Sequence, residues 1–488
     1  MAGVYGGWST TVSLGLAGLA SRGARSATNL DQCLKSKRAC LGYDEAPGYV
    51  FRHYVGLRTA EERKSSPQSE STPAVGNIAP SEWDNESSNF DDARLEEGAL
   101  EAFFNDYCIT SRNPTLSRGF LDGLQLLIAH AGPSSDMAKA ARIVSLAGIG
   151  NKLGRSSLLR RTRYIYGDLL HSFQATISHR DQANTVESLM TAVLLGLYEI
   201  ITSNEDNPGQ HPAHVQGVSA ILCSDDSPFN LFAGCTQLFQ LSNPIIIKEP
   251  LHNVGVLCTP ISNSSIQSLD SILVKFNPIF YKAMALLAHD SSPSEEEIIQ
   301  VRENAMSLRD AFAKWAESQP EEWKPITVSE CASRSFAGGF HTTGRIESYF
   351  DLYVAAVWNT YRKTHLLMLD VIFKCKRRLG QETGEDEEAQ RLAEDIASSV
   401  PFHLGNDSDA FPHELHRGTK PMTPGPPVGG LFLLHPLWVI TVSSVVSPEI
   451  QARMRECLAW IGKNTGLGQA TLLSKVRVLL NRLCEQFN

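Results

Sequence analysis

From residue 93 onward the sequence repeats one kind of unit, an apolar stripe at helical spacing closed by turn residues and followed by another. "ARLEEGALEAFFNDYC" (93–108) places Leu95, Leu100, Phe103 and Phe104 along one side of a helix. "TVESLMTAVLLGLYEII" (185–201) opens with Thr-x-x-Ser, a start resembling a capping box, ahead of a strongly apolar run. The same reading applies at 307–318, 346–379, 387–400, 448–466 and 469–487. Strand-like alternation is scarce. Stripes of this kind are buried by packing helix on helix, so the body is expected to be all-α. No fixed-period repeat is evident, which argues against a simple solenoid and leaves stacked helix pairs of varying length open.

The 488 residues leave room for a sizeable core. Ahead of the helical pattern lies "EERKSSPQSESTPAVGNIAPSEWDNESSNFD" (61–91), rich in Ser, Pro, Asn and acids and almost without apolar periodicity. Such a composition buries too little surface to order itself, so 59–91 is expected to be a disordered linker and 92–488 one large helical domain. Residues 421–448 contain neither acids nor Lys/Arg and are long enough to test as a membrane span. The entry is Pro/Gly-rich, His435-Pro436 sits in the middle and basic flanks are lacking, so a helix buried inside the protein is the better account. "TTVSLGLAGLA" near the start resembles a short signal core, but Arg22 and Arg25 follow it where a signal peptide needs them in front. Residues 1–30 are read as an atypical or disordered extension.

Composition narrows the partners. With 42% hydrophobic and 20% charged residues and a net charge of -9, the chain reads as a soluble intracellular protein and not as a basic coat for nucleic acid. The charge is uneven: residues 1–58 hold seven Lys/Arg against three acids, +4, which leaves -13 for the remainder. A surface that seeks phosphate is therefore expected near the N-terminus. Ten scattered cysteines do not make a disulfide-dense scaffold and are expected to be mostly buried thiols in a reducing compartment.

No catalytic constellation emerges. "SLAGIGNKLG" offers Gly148, Gly150 and Gly154, but the dinucleotide fingerprint needs its third glycine at 153, which is Leu153; the stretch reads as helix, turn and helix. His211 and His214 are three apart, yet Pro212 places His211 in a turn and no third ligand is near. Neither a Gly-x-Ser-x-Gly elbow, nor a phosphate loop, nor His-Glu-x-x-His is present. An enzyme is not expected.

One short stretch has parts that agree with one another. In "DQCLKSKRACLGYDEAPGYVFRHY" (31–54), Cys33 and Cys40 are spaced to turn back around a metal ion, while Lys35, Lys37 and Arg38 offset thiolate charge and face phosphates. Zinc needs four ligands, and the next cysteine, Cys108, lies beyond the linker. The stretch resembles the second half of the fungal binuclear zinc-cluster DNA-binding domain, in which six cysteines hold two zinc ions. Cys33 and Cys40 match the fifth and sixth ligands, Gly42 and Tyr43 the trailing pair, and Phe51-Arg52 the exit; the fourth ligand falls at Leu30, and the first half, with its base-reading Lys residues, has no counterpart.

The helical body resembles the same family. "PAHVQGVSAIL" (212–222), "WAESQPEEWKP" (315–325), "YFDLYVAAVWNTYRKTHLLML" (349–369) and "GGLFLLHPLWV" with "RMRECLAWIGKNTGLGQATLL" occur in its order. The resemblance implies an all-helical regulatory domain behind a zinc-cluster segment at 31–58, in a nuclear regulator of a metabolic or secondary-metabolite gene set. Implied with it are zinc at Cys33 and Cys40, promoter DNA met by Lys35, Lys37 and Arg38, a homodimer or partners in the transcription machinery, and no membrane. Two accounts of the missing cysteines stand open: the residues before Asp31 are not those of the native protein, or the module has been lost and the chain acts as a co-regulator or dimerisation subunit. A small-molecule sensor or enzyme with a pocket among the helices is the rival from another class.

Within the body, packing explains most of the conspicuous residues. Trp315, Trp323, Trp358, Trp438 and Trp460 are expected in the core, and His214 and Asn359 to tie adjacent helices by buried hydrogen bonds. "LRRTR" (159–163) is read as a solvated face or one that meets an acidic partner, ahead of a DNA contact.

Overall fold

The structure is a computed structural model that describes residues 82–209, a few positions between 213 and 221, 269–405 with short breaks, and 423–475. Residues 1–58, with Cys33, Cys40, Lys35, Lys37 and Arg38, lie outside the described residues, as does most of the expected linker.

Among the described residues the body is helical, as its periodicity implies, with two small antiparallel strand pairs as the exceptions. The first half comprises α1 (Glu82–Tyr107), α2 (Leu124–Ala131), α3 (Asp136–Leu153), α4 (Ser156–Ile177), the single turn α5 (Arg180–Ala183) and α6 (Val186–Thr202). In the second half follow α7 (Leu269–Leu286), α8 (Glu295–Ser318), strands β1 (Ile326–Ser329), β2 (Arg334–Ser335), β3 (His341–Thr342) and β4 (Ile346–Ser348), then α9 (Leu352–Arg378), α10 (Asp386–Leu404), α11 (Pro427–Val442) and α12 (Pro448–Thr465).

Local chemistry sets the boundaries. Ser135 caps α3 by accepting from the Ala138 N–H, Thr185 caps α6 through Ser188, and Ser294 with Glu297 forms a reciprocal capping box on α8. Gly154 ends α3 in the left-handed region at φ 64°, so "SLAGIGNKLG" is helix, turn and the start of the next helix. Along α4, Leu158, Thr162, Tyr166, Leu169, Phe173 and Ile177 are buried at spacings of three and four, the stripe of a helix with one wet face.

Two expected boundaries move. Helix α1 begins at Glu82, inside the stretch assigned to linker, because an acid-rich segment that cannot build a core alone is also what the positive end of a helix dipole favours. Residues 346–348, expected in the long helix, form β4 and pair with β1 in the register Ile326 to Ser348 and Thr327 to Glu347. The helix starts only after Asp351, whose carboxylate accepts from the Val354 N–H.

Helix α3 is the hub of the first half, packed on α1, α4 and α6, and α9 is the hub of the second, packed on α8, α10, α11 and α7. Both hubs are buried nearly all round, and one continuous apolar core joins the halves. Helix α11 is likewise surrounded by protein, as expected for 421–448, and among the described residues no helix is long and apolar enough to cross a membrane. The segment expected as a helix from 469 is helical as far as 475, where the description ends.

Candidate functional site

Three groupings of polar or aromatic side chains stand out, each built where helices meet, two of them on α9. The first surrounds Arg362 of α9, buried at 2% exposure. Its Nη2 lies 2.9 Å from Oε2 of Glu347 on β4, and its Nη1 donates to the Tyr349 hydroxyl at 2.6 Å and to the Asp395 carbonyl at 3.0 Å. Tyr349 in turn donates to Glu347 at 2.5 Å, and Arg345 bonds both Glu347 and Asp395. The guanidinium also lies 5.9 Å from the ring centroids of Tyr349 and Trp358. Burial holds the Tyr349 hydroxyl well above the usual phenol range, so it stays a donor. Two cations balance two carboxylates, each held by hydrogen bonds, and the cluster clamps the β1–β4 strand pair to α9 and α10.

Below it the polar thread continues. Asn359 donates to Ser399 Oγ at 2.8 Å, the interhelical tie expected for that residue. Nδ1 of fully buried His403 lies 3.0 Å from the Ser399 carbonyl and must donate to it. Desolvation pushes the His403 pKa down to about 4, with Arg362 adding to the effect, so its imidazole is neutral.

The second grouping lies in the first half, where Tyr166 of α4 donates to Glu199 Oε1 of α6 at 2.6 Å and meets His214 Nε2 at 2.8 Å. A phenol has one proton, and here it goes to the carboxylate; its oxygen therefore accepts from His214 Nε2–H. His214 is thus a buried tie, as its place in the sequence suggests, and among the described residues no group of three His, Cys, Asp or Glu is arranged to hold a metal. The three cysteines described, Cys108, Cys375 and Cys457, are free thiols, and burial pushes Cys108 up to about 12 and Cys375 to about 11.

The third is a slot between α7, α9 and α11, apolar along Phe280, Met284, Leu366, Val439 and Val442. The His435 and Trp438 rings, 5.4 Å apart, form part of its wall. Asp370 marks its polar end, accepting from the Ser444 N–H at 2.8 Å, Ser444 Oγ at 2.5 Å and Lys374 Nζ at 2.5 Å. These three donors converge on one carboxylate, and the Lys374 contact places that ammonium at the rim. Its apolar wall and few fixed polar groups line a narrow slot between the three helices.

The tryptophans serve packing. Trp315 lies 5.3 Å from Trp358 and 5.2 Å from Tyr361, Trp358 Nε1 donates to the Trp323 carbonyl at 2.6 Å, and Trp323 Nε1 reaches the Leu116 carbonyl at 2.7 Å. Trp460 Nε1 donates to the Ala337 carbonyl at 3.1 Å, and Trp438 is buried in the slot wall. Sequence reasoning missed the Arg362 cluster, although a Glu and an Arg inside the apolar run 346–379 were the available signal. The predicted metal and phosphate residues at 33–40 are not among the groups brought together here, since they lie outside the described residues.

Comparison with known proteins adds a relative. The chain is 37% identical over 394 residues to transcription factor dbaG of Emericella nidulans, an alignment that takes in 79% of this chain and 92% of that protein. No protein-family model matches the chain. No solved structure matches it either. Identity at this level over nearly the whole of the relative means that the chain belongs to the fungal transcription factors.

Proposed function

We propose that the protein is a nuclear regulator controlling the genes of one metabolic or secondary-metabolite pathway. The similarity to a transcription factor over 92% of that relative's length carries this reading. The reading as a regulator and not an enzyme rests on the same similarity. Within it, the basic stretch at 31–58 is the part that faces DNA: Lys35, Lys37 and Arg38 meet phosphates, and the Cys33 and Cys40 thiolates hold zinc.

A mobility-shift assay with the full chain on promoter fragments of the neighbouring genes, run across a salt series, tests the DNA claim. Neutralising three cations with Lys35→Gln/Lys37→Gln/Arg38→Gln should flatten the salt dependence by about 3 in the log–log slope. Zinc content belongs beside it, with metal lost in Cys33→Ala/Cys40→Ala.

A second reading has its own observation: two of the family's six cysteine ligands are present. A protein without a complete cluster works through its helical body, as a co-regulator or a dimerisation subunit. Metal-free chain with no DNA affinity at low salt, forming dimers in sedimentation, would select this reading over the first.

A further inference from the structure

Residues 137–167 contain seven Lys/Arg and no acid, in a chain whose net charge is -9. This stretch builds most of α3 and the first half of α4, two helices packed against each other. Three of its cations are matched from neighbouring segments: Lys139 by Asp136 at 3.5 Å, Arg155 by Asp92 at 2.8 Å and Arg161 by Glu96 at 3.5 Å. Lys152 lies within the field of Asp106. Arg160 and Arg163 are exposed and make no ion pair among the described residues.

Those two arginines share a helix face with Tyr164, since positions three and four apart on a helix are neighbours. Tyr164 is 65% exposed. One turn further along α4, a Cβ on Gly167 would meet nothing within 4 Å, so the face has no cover there. The face therefore sets two cations, without an ion pair among the described residues, beside an exposed aromatic ring, with the exposed Asp168 one turn beyond Tyr164. Phosphate backbones would use the cations and leave Tyr164 without apolar complement. An acidic segment with interspersed large apolar side chains satisfies both.

We propose that this face of α4, centred on Arg160, Arg163 and Tyr164, docks an acidic amphipathic peptide segment of a partner protein. The surface is separate from the stretch at 31–58, and a charge reversal on α4 leaves that stretch intact, so the two claims fail independently.

The test uses the full chain carrying Lys35→Gln/Lys37→Gln/Arg38→Gln, to remove the other basic stretch, and a fluorescein-labelled synthetic peptide of Asp interspersed with Leu and Phe. Fluorescence polarisation should show binding that weakens with salt. Arg160→Glu/Arg163→Glu should weaken it by about tenfold or more. Tyr164→Ala should weaken it by about fivefold with the salt slope unchanged, because it removes apolar area and no charge. Unchanged circular dichroism and melting show that the variants are folded. The proposal is overturned if the peptide does not bind, if the charge reversal leaves its affinity intact, or if a labelled duplex binds more tightly than the peptide and loses affinity to the same substitutions.

Discussion

Arg362 holds a guanidinium charge inside the protein, and what makes this tolerable is that Glu347, Tyr349 and the Asp395 carbonyl all reach it at hydrogen-bonding distance. Removing the cation alone leaves the buried Glu347 with only the half-exposed Arg345 as counter-ion and takes away the donor to the Tyr349 oxygen. Arg362→Ala should therefore cost about 3–5 kcal/mol, measured by urea unfolding, whereas replacing Arg362 and Glu347 together by Met should cost much less than the sum of the two single changes. His403 makes a different demand. Its folded pKa is about 4, below the ordinary value near 6.5, so the neutral ring contributes stability that is complete above pH about 6.5 and is lost as pH falls toward 4. The acid loss in that window should be about 3 kcal/mol at most, and His403→Phe should flatten it in melts recorded across the range. At this scale the sequence was half legible. Asn359 and His214 announce themselves as polar residues in apolar helices, but the partners of Arg362 come from a strand pair whose return path the periodicity does not show.

Helices carry their own punctuation, which is why most were readable: Thr185, Ser294 and Gly154 act in the structure as their residue types suggest. The failure at 346–348 is equally local, because a strand of three residues is too short to display alternation and its pairing partner, β1, is another short element. Two glycines give opposite tests of packing between elements. On Gly429 of α11 a Cβ would lie 1.8 Å from the His403 carbonyl oxygen, so the helices α10 and α11 cross there at backbone contact. Gly429→Ala should force them apart and lower stability by about 2–3 kcal/mol. Gly167, in the interior of α4 with open space around it, should gain about 0.5–1 kcal/mol on Gly167→Ala, with both changes read as shifts of the urea midpoint.

For the whole molecule, fold class and membership of the fungal transcription factors were legible, while the chemistry of the proposed DNA contact was less so. A body of this size declares itself through many redundant stripes, and losing any one leaves the reading intact. A metal cluster has no such redundancy: two cysteines at the right spacing identify a kind of segment without establishing a ligand set. The measurement at this scale is zinc per chain on the intact protein. A value near two would require ligands beyond Cys33 and Cys40, and a value near zero would move the weight of function onto the helical body.

The amide of Asn151 donates to the Ile201 carbonyl at 2.7 Å and to the Gly466 carbonyl at 3.0 Å, joining α3 to the ends of α6 and α12. Around this point the backbones nearly touch: a Cβ on Gly466 would sit 2.2 Å from the Gly148 oxygen, and one on Gly468 would sit 2.2 Å from that of Ser203. Because the ribosome delivers residues in order, the first bundle emerges long before the segment that seals it, and must wait with its apolar seam uncovered until Gly466 and Leu467 arrive. Closure over so wide a separation is slow, so the nascent chain should depend on chaperones late in its synthesis. Asn151→Ala should lengthen that wait, seen as more chaperone-bound chain in a translation extract at unchanged translation rate.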